Sequence, residues 1–184
     1  LSRVFASGRP ADPQSVVVLR YDEDGEVPDL DWVGILERAV GYADWPVDEP
    51  VEGDLAFGIA AYETWAETIR AGQGESTVKL AVDLTLPFAA RIIQKRRSAA
   101  RLLARDAALS DHFADAAECY HAAADLLEAI GPTWAVGGWT GEELRASFAD
   151  PAVRASVADL IALAGEQEAA AVDSLRLALA ELAP

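Results

Sequence analysis

This chain is short of the side chains that most catalysis uses. It has one cysteine, Cys119, and two histidines, His112 and His121. A lone cysteine excludes any disulfide within the chain, and such scarcity is expected of a protein in the reducing cytoplasm. Basic residues are also few. Against 31 Asp and Glu stand 15 Lys and Arg, a formal charge of −16. That imbalance repels nucleic acid and anionic membranes and favours solubility. No uninterrupted apolar run approaches the ~18 residues a membrane span needs. The first residues lack the basic-then-apolar pattern of a secretion signal. A start at Leu1 rather than Met is what a processed chain or a fragment would show.

What is present is apolar and helix-prone. Hydrophobic residues, mostly Ala and Leu, make up 52% of the 184. That is enough for a core without staples, in a single domain over 1–184. Residues 1–30 differ from the rest. SVVVLRYD (15–22) is rich in β-branched residues and predicts a strand, which RVFAS (3–7) would meet in a short hairpin.

From Asp31 the apolar period becomes helical. A helix is predicted over 31–43, with Asp31 as its cap. WPVDEPVEGD breaks it. A second helix is predicted over 56–71, and GQGES is a loop. Residues 77–84 alternate like a strand in a helical context. Thr85 is the expected cap of a helix over 86–108, with Pro87 in its first turn. Ser110 opens a helix over 111–130 that Gly131-Pro132 should end. Thr140 and Glu143 match a capping box, and Asp150-Pro151 opens a long helix to about 182. The expected fold class is therefore mainly α: an antiparallel bundle of about five to six helices over 31–184 behind an N-terminal β-hairpin.

The helical pattern constrains the chemistry. On one helix His112 and Cys119 share a side but stand ~10 Å apart along the axis. His121 points about 160° away from Cys119. Neither imidazole reaches the thiol, so Cys119 reads as a small residue at the edge of the core. Glu118 and His121 form half of a di-iron Glu-x-x-His pattern, but Leu109 stands where the second half needs its Glu. No metal and no cofactor is predicted.

Two charged residues break their own helices. Arg96 falls inside the apolar arc of Phe88, Ala89, Ile92, Ala100 and Leu103. Glu168 falls inside the arc of Leu160, Ile161, Ala164, Ala171, Val172 and Leu175. An unpaired buried charge is untenable, so the two are expected to pair bidentately between helices. RIIQKRRSAARLLAR (91–105) has six basic residues and no acid. Arg91, Lys95, Arg97, Arg101 and Arg105 form one stripe on it. It would meet acidic neighbours within the fold, or dock an acidic protein such as an acyl carrier.

GIAAYETWAETIR (58–70) places Gly58, Ala61, Tyr62, Trp65 and Ile69 on a helical core stripe, where Gly58 would permit close helix approach. The order Gly58, Ala61, Tyr62, Trp65, Ile69, Arg70 also resembles a segment of butirosin-biosynthesis-type proteins, relatives of papain- and C39-peptidase-like acyltransferases. Arg96, Arg97, Ala99, Ala100 and Leu103, then Ala117 and Tyr120, then Glu168, are similar to the helices that follow in that family. The resemblance covers about 30–182. It implies the helical half of such a protein, without the family's N-terminal Cys and His. The function it implies is a non-catalytic helical module binding a small ligand, acyl carrier or protein partner, with Tyr62, Trp65, Arg96, Glu168, Arg91, Lys95, Arg97 and Arg101 as binding residues. Two alternatives stand beside it. One is a free-standing oligomeric interaction protein using Trp134, Trp139 and the first strand. The other is a small-molecule enzyme using carboxylates such as Glu63 or Glu67.

Overall fold

Local capping chemistry sets most of the helix ends. The structure, a computed structural model, describes residues 30–43, 58–72, 75–135 and 140–184, apart from the side chains of 75–82 and 84. The expected hairpin within 1–29, the loop 44–57 and Trp139 lie outside these residues. Asp31 Oδ1 accepts the Gly34 N–H at 3.0 Å and opens α1 (Trp32–Ala43). Ser110 Oγ accepts the His112 N–H at 3.3 Å and opens α4 (Asp111–Glu128). Thr140 and Glu143 form the capping box of α6 (Gly141–Ala149). Asp150 Oδ1 accepts the Ala152 N–H at 2.8 Å and opens α7 (Pro151–Leu182).

Several boundaries differ from the sequence expectation, each for a local reason. The second helix, α2 (Ala60–Ala71), begins four residues late. Gly58 is left-handed at φ +61°, and a Cβ there would lie 2.5 Å from the Ala43 carbonyl oxygen. Gly58 is therefore a turn residue against the end of α1, not part of a core stripe.

The long helix α3 (Glu75–Arg105) takes in the ambiguous 77–84, Thr85 and Pro87. Thr85 does not cap; it is 2% exposed inside the helix. Pro87 removes one N–H, leaving the Asp83 carbonyl without its helical partner. The packing of the turns on either side outweighs that loss. Gly131-Pro132 likewise fails to stop the chain. After Ala129 a short α5 (Ile130–Trp134) begins, and Pro132 falls in its first turn, where an N–H is not needed.

Within residues 31–184, α7 is the central element. The helices α1, α2, α4, α5 and α6 pack on it, while α3 lies along α4 and touches α2 at few points. The direction of α2 follows from its partners on α7. Tyr62 meets Gly165 and Glu168, and Arg70 meets Asp159, so the two helices are antiparallel. The hairpin α3–α4 is antiparallel through a 3₁₀ turn at Ala107–Leu109. Ser110 Oγ donates to Glu181 Oε2 at 2.6 Å, which ties the start of α4 to the end of α7.

Small side chains let these helices approach. Ala116, Ala117, Ala123 and Ala124 of α4 and Ala158, Ala164, Ala171 and Ala178 of α7 are all buried. Larger residues fill the ends. Trp134 stacks on Phe148 at 5.4 Å, and Trp32 lies 4.6 Å from Phe113 between ring centroids. Fully burying a side chain of this class contributes about 1.5–3 kcal/mol.

α2 and α7 come close at Gly165, where an added Cβ would stand 2.7 Å from Tyr62 Cβ. In an unhindered helix Gly→Ala stabilises by roughly 1 kcal/mol. Here overpacking should outweigh that gain, at about 1–3 kcal/mol. We expect Gly165→Ala to lower the urea midpoint of unfolding; an unchanged or higher midpoint would contradict the close contact.

Candidate functional site

The two pattern-breaking charges meet in the middle of the bundle. Arg96 Nε of α3 donates to Glu168 Oε1 of α7, a single contact rather than the expected bidentate pair, because the Tyr62 hydroxyl shares the same oxygen. The Tyr62 hydroxyl of α2 donates to the same oxygen at 3.2 Å. The Arg96 guanidinium lies over the Tyr120 ring of α4, 5.2 Å from its centroid. One carboxylate thus draws on four helices. The Glu168 side chain is 4% exposed and that of Arg96 31%, so the pair is sealed at the acid and reaches solvent at the base.

The electrostatics follow from burial. Desolvation alone would lower the Arg96 guanidinium, but the Glu168 carboxylate more than reverses this and holds it firmly charged. Burial, reinforced by Glu168, pushes the Tyr62 phenol far above its ordinary range. Burial also raises Tyr120; Arg96 opposes the shift, Glu168 adds to it, and the phenol is pushed up to about 12.

Next to this cluster runs an aromatic seam between α2 and α3. The half-buried Trp65 donates its indole N–H to Thr85 Oγ1 at 3.3 Å. It meets Phe88 edge-on, with 5.4 Å between centroids, and Tyr62 at 6.3 Å. Phe88 was expected in the buried arc but is 47% exposed. Among the described residues its ring meets Trp65 on one edge, and the rest of it stays open to solvent.

Of the eight binding residues expected from sequence, the structure gathers Tyr62, Trp65, Arg96 and Glu168. The other four belong to the basic stripe. Arg97 turns to α4, with Asp125 Oδ1 at 3.3 Å and Glu128 Oε2 at 2.5 Å. Arg105 binds Asp106 through Nε at 2.6 Å. Asp106 also accepts the Trp32 indole N–H at 3.1 Å. Arg91 and Arg101 are exposed and Lys95 half-buried, and Arg91 and Lys95 have interactions of their own. Much of the stripe is therefore internal wiring.

Sequence reasoning missed Tyr120 and Thr85 as members of the site. Tyr120 enters the sequence reading through the family resemblance, and Thr85 as an expected cap. Their roles depend on helix register, which no local pattern carries. Trp134, expected as an exposed contact, is 1% exposed and donates to the Leu144 carbonyl at 3.0 Å. The Gly131-Pro132 turn folds it inward.

The thiol and imidazoles stay apart on α4, which is unbroken over Asp111–Glu128. Cys119 is half-buried, and burial, with Asp115 and Glu118 adding to it, raises its thiol. That disfavours the thiolate a nucleophile needs. His112 faces Asp115 at 3.8 Å, while Glu118 and His121 are exposed. Among the described residues no cluster of His, Cys, Asp and Glu is placed to hold a metal ion. Among the same residues no helix is long and apolar enough to cross a membrane.

Comparison of the chain with protein-family models, curated proteins and solved structures finds no match in any of the three.

Removing one member of the buried pair should cost unequally. Arg96→Leu leaves a sealed carboxylate with the Tyr62 hydroxyl alone and should cost about 3–5 kcal/mol. Glu168→Leu leaves a guanidinium that already reaches water, and should cost less. Denaturant titration of both variants checks the order; equal losses would contradict the asymmetry.

The tyrosines set an alkaline limit. A phenol raised in the folded state adds stability that is complete below its unfolded value of 10.0 and lost as pH rises toward about 12. Tyr62 is shifted the same way. Tyrosinate absorbance should therefore rise together with loss of helical circular dichroism across this window. Ionisation of all tyrosines near pH 10 with the helices intact would refute it.

Proposed function

We propose that this chain is a non-catalytic helical binding module whose working surface is the seam between α2 and α3. The observation that carries this reading is Phe88, 47% exposed and edge-on to Trp65, with the solvent-reaching Arg96 two turns further along α3. Exposed aromatic area beside a fixed cation is the composition of a binding patch. The polar cluster beneath it serves as the support that keeps the guanidinium in place. The order of motifs resembling the helical half of butirosin-biosynthesis-type acyltransferase relatives fits the same reading. The raised thiol of Cys119 and its separation from both histidines on α4 favour binding over acyl transfer by this chain.

A second reading rests on Arg101, exposed on the outer side of α3. There an acidic partner, an acyl carrier or another copy of this acidic chain, would find a complementary charge.

Two measurements test the proposal. Cys119 should react with a chromogenic disulfide more slowly than free cysteine; faster reaction would mark an activated nucleophile and overturn the non-catalytic reading. In a screen of small acids, amides and amines, amide chemical shifts should move on α2 and α3 around Trp65 and Phe88. Hits confined to the outer side of α3 would favour the second reading, and hits elsewhere would overturn both.

A further inference from the structure

Building on the binding-module reading, we infer that the α2–α3 seam takes a small amphiphilic carboxylate, its anionic head on Arg96 and its apolar body along Ile92, Phe88 and Trp65. The protein carries −16 overall, yet α3 has no acidic residue from 84 to 105. Phe88, Ile92 and Lys95 stand at i, i+4 and i+7, so they share the flank of α3 that faces Trp65. On α2 the matching flank carries Ala61, Thr64 and Thr68, none of them charged. Glu63 and Glu67 each lie two residues from Trp65, which turns them about 160° away from it. Among the described residues both lining flanks are free of carboxylates, and the charges along the α3 flank are Arg91, Lys95 and Arg96.

A guanidinium offers five N–H donors in a planar fork. The contact with Glu168 runs through Nε, and 31% of the side chain remains exposed. Glu168 itself sits beneath, 3% exposed, with the Tyr62 hydroxyl bonded to it. It neutralises the side of Arg96 that it meets through Nε, and part of the remaining side chain reaches solvent. The Tyr120 ring, 5.2 Å from the guanidinium carbon, adds a cation–π contact. A preorganised Arg fork is the geometry that recognises a carboxylate.

Phe88 and Arg96 are eight residues apart on one helix, a span of about 12 Å. The apolar wall between them is Ile92 and the Trp65–Phe88 pair. A short-chain or aryl carboxylate matches that span; a bare anion would leave the aromatic wall unused.

The test compares octanoate with its neutral amide by calorimetry and amide chemical shifts on the whole chain. Octanoate should bind at the seam about ten-fold more tightly than octanamide, and added salt should narrow the difference. Phe88→Ala, a change at an exposed position, should weaken both ligands. The double variant Arg96→Gln/Glu168→Gln keeps hydrogen-bonding groups in the core and removes both charges; it should bring octanoate down to the affinity of the amide. If the two ligands bind the seam equally in the wild type, the carboxylate inference falls while the binding-module reading stands. If neither shifts resonances of α2 or α3, both fall.

Discussion

The structure turns on a single carboxylate placed where a hydrophobe was expected. Glu168 lies in the buried stripe of the central helix, and a charge there is tolerable only with partners already in place. Arg96 and Tyr62 supply them, and Tyr120 supports Arg96 from a fourth helix. Such a cluster adds little net stability over a well-packed apolar core. Its effect is on arrangement. Sliding any one of α2, α3, α4 or α7 by a turn would strand a charge or a hydroxyl, whereas alanine-lined contacts alone would tolerate a slip.

That constraint shapes the surface as well. α2 is held against α7 by Tyr62 and the core, and α3 is held against α4 by Arg97 and small residues. Among the described residues α2 and α3 meet at few points, through the Trp65 indole hydrogen bond to Thr85 and its edge-on contact with Phe88, and Phe88 stays half in water. The buried cluster and the exposed seam are two sides of one arrangement. The interior needs an arginine at 96, and the length of that side chain carries its charge out to the surface.

Much of this was legible from residue order. Caps at Asp31, Ser110, Thr140 and Asp150 are local chemistry, and the helices they open are found there. The pairing of Arg96 with Glu168 could be inferred because each violated its own helical period. Signals read as helix breaks were less secure. Pro87 sits inside α3, where packing on either side carries the helix past a lost hydrogen bond, and Gly131-Pro132 falls in the first turn of α5, where an N–H is not needed. Gly58 was read as a core contact and is a turn, while the close approach it was expected to allow occurs at Gly165. Which aromatic stays in water was not legible. Phe88 and Trp134 differ in burial through the placement of other helices, and no local pattern encodes that placement.

Tyr62 lies along α7 like a strut. Its Cβ faces Gly165, and its hydroxyl rests on Glu168, one turn further on. Its root is therefore governed by size and its tip by charge, at two positions three residues apart. The missing methyl at 165 and the anion at 168 make a joint specification: a bulkier residue at the first would lift the phenol off the second. Drift in this lineage should treat the two sites as one unit of inheritance.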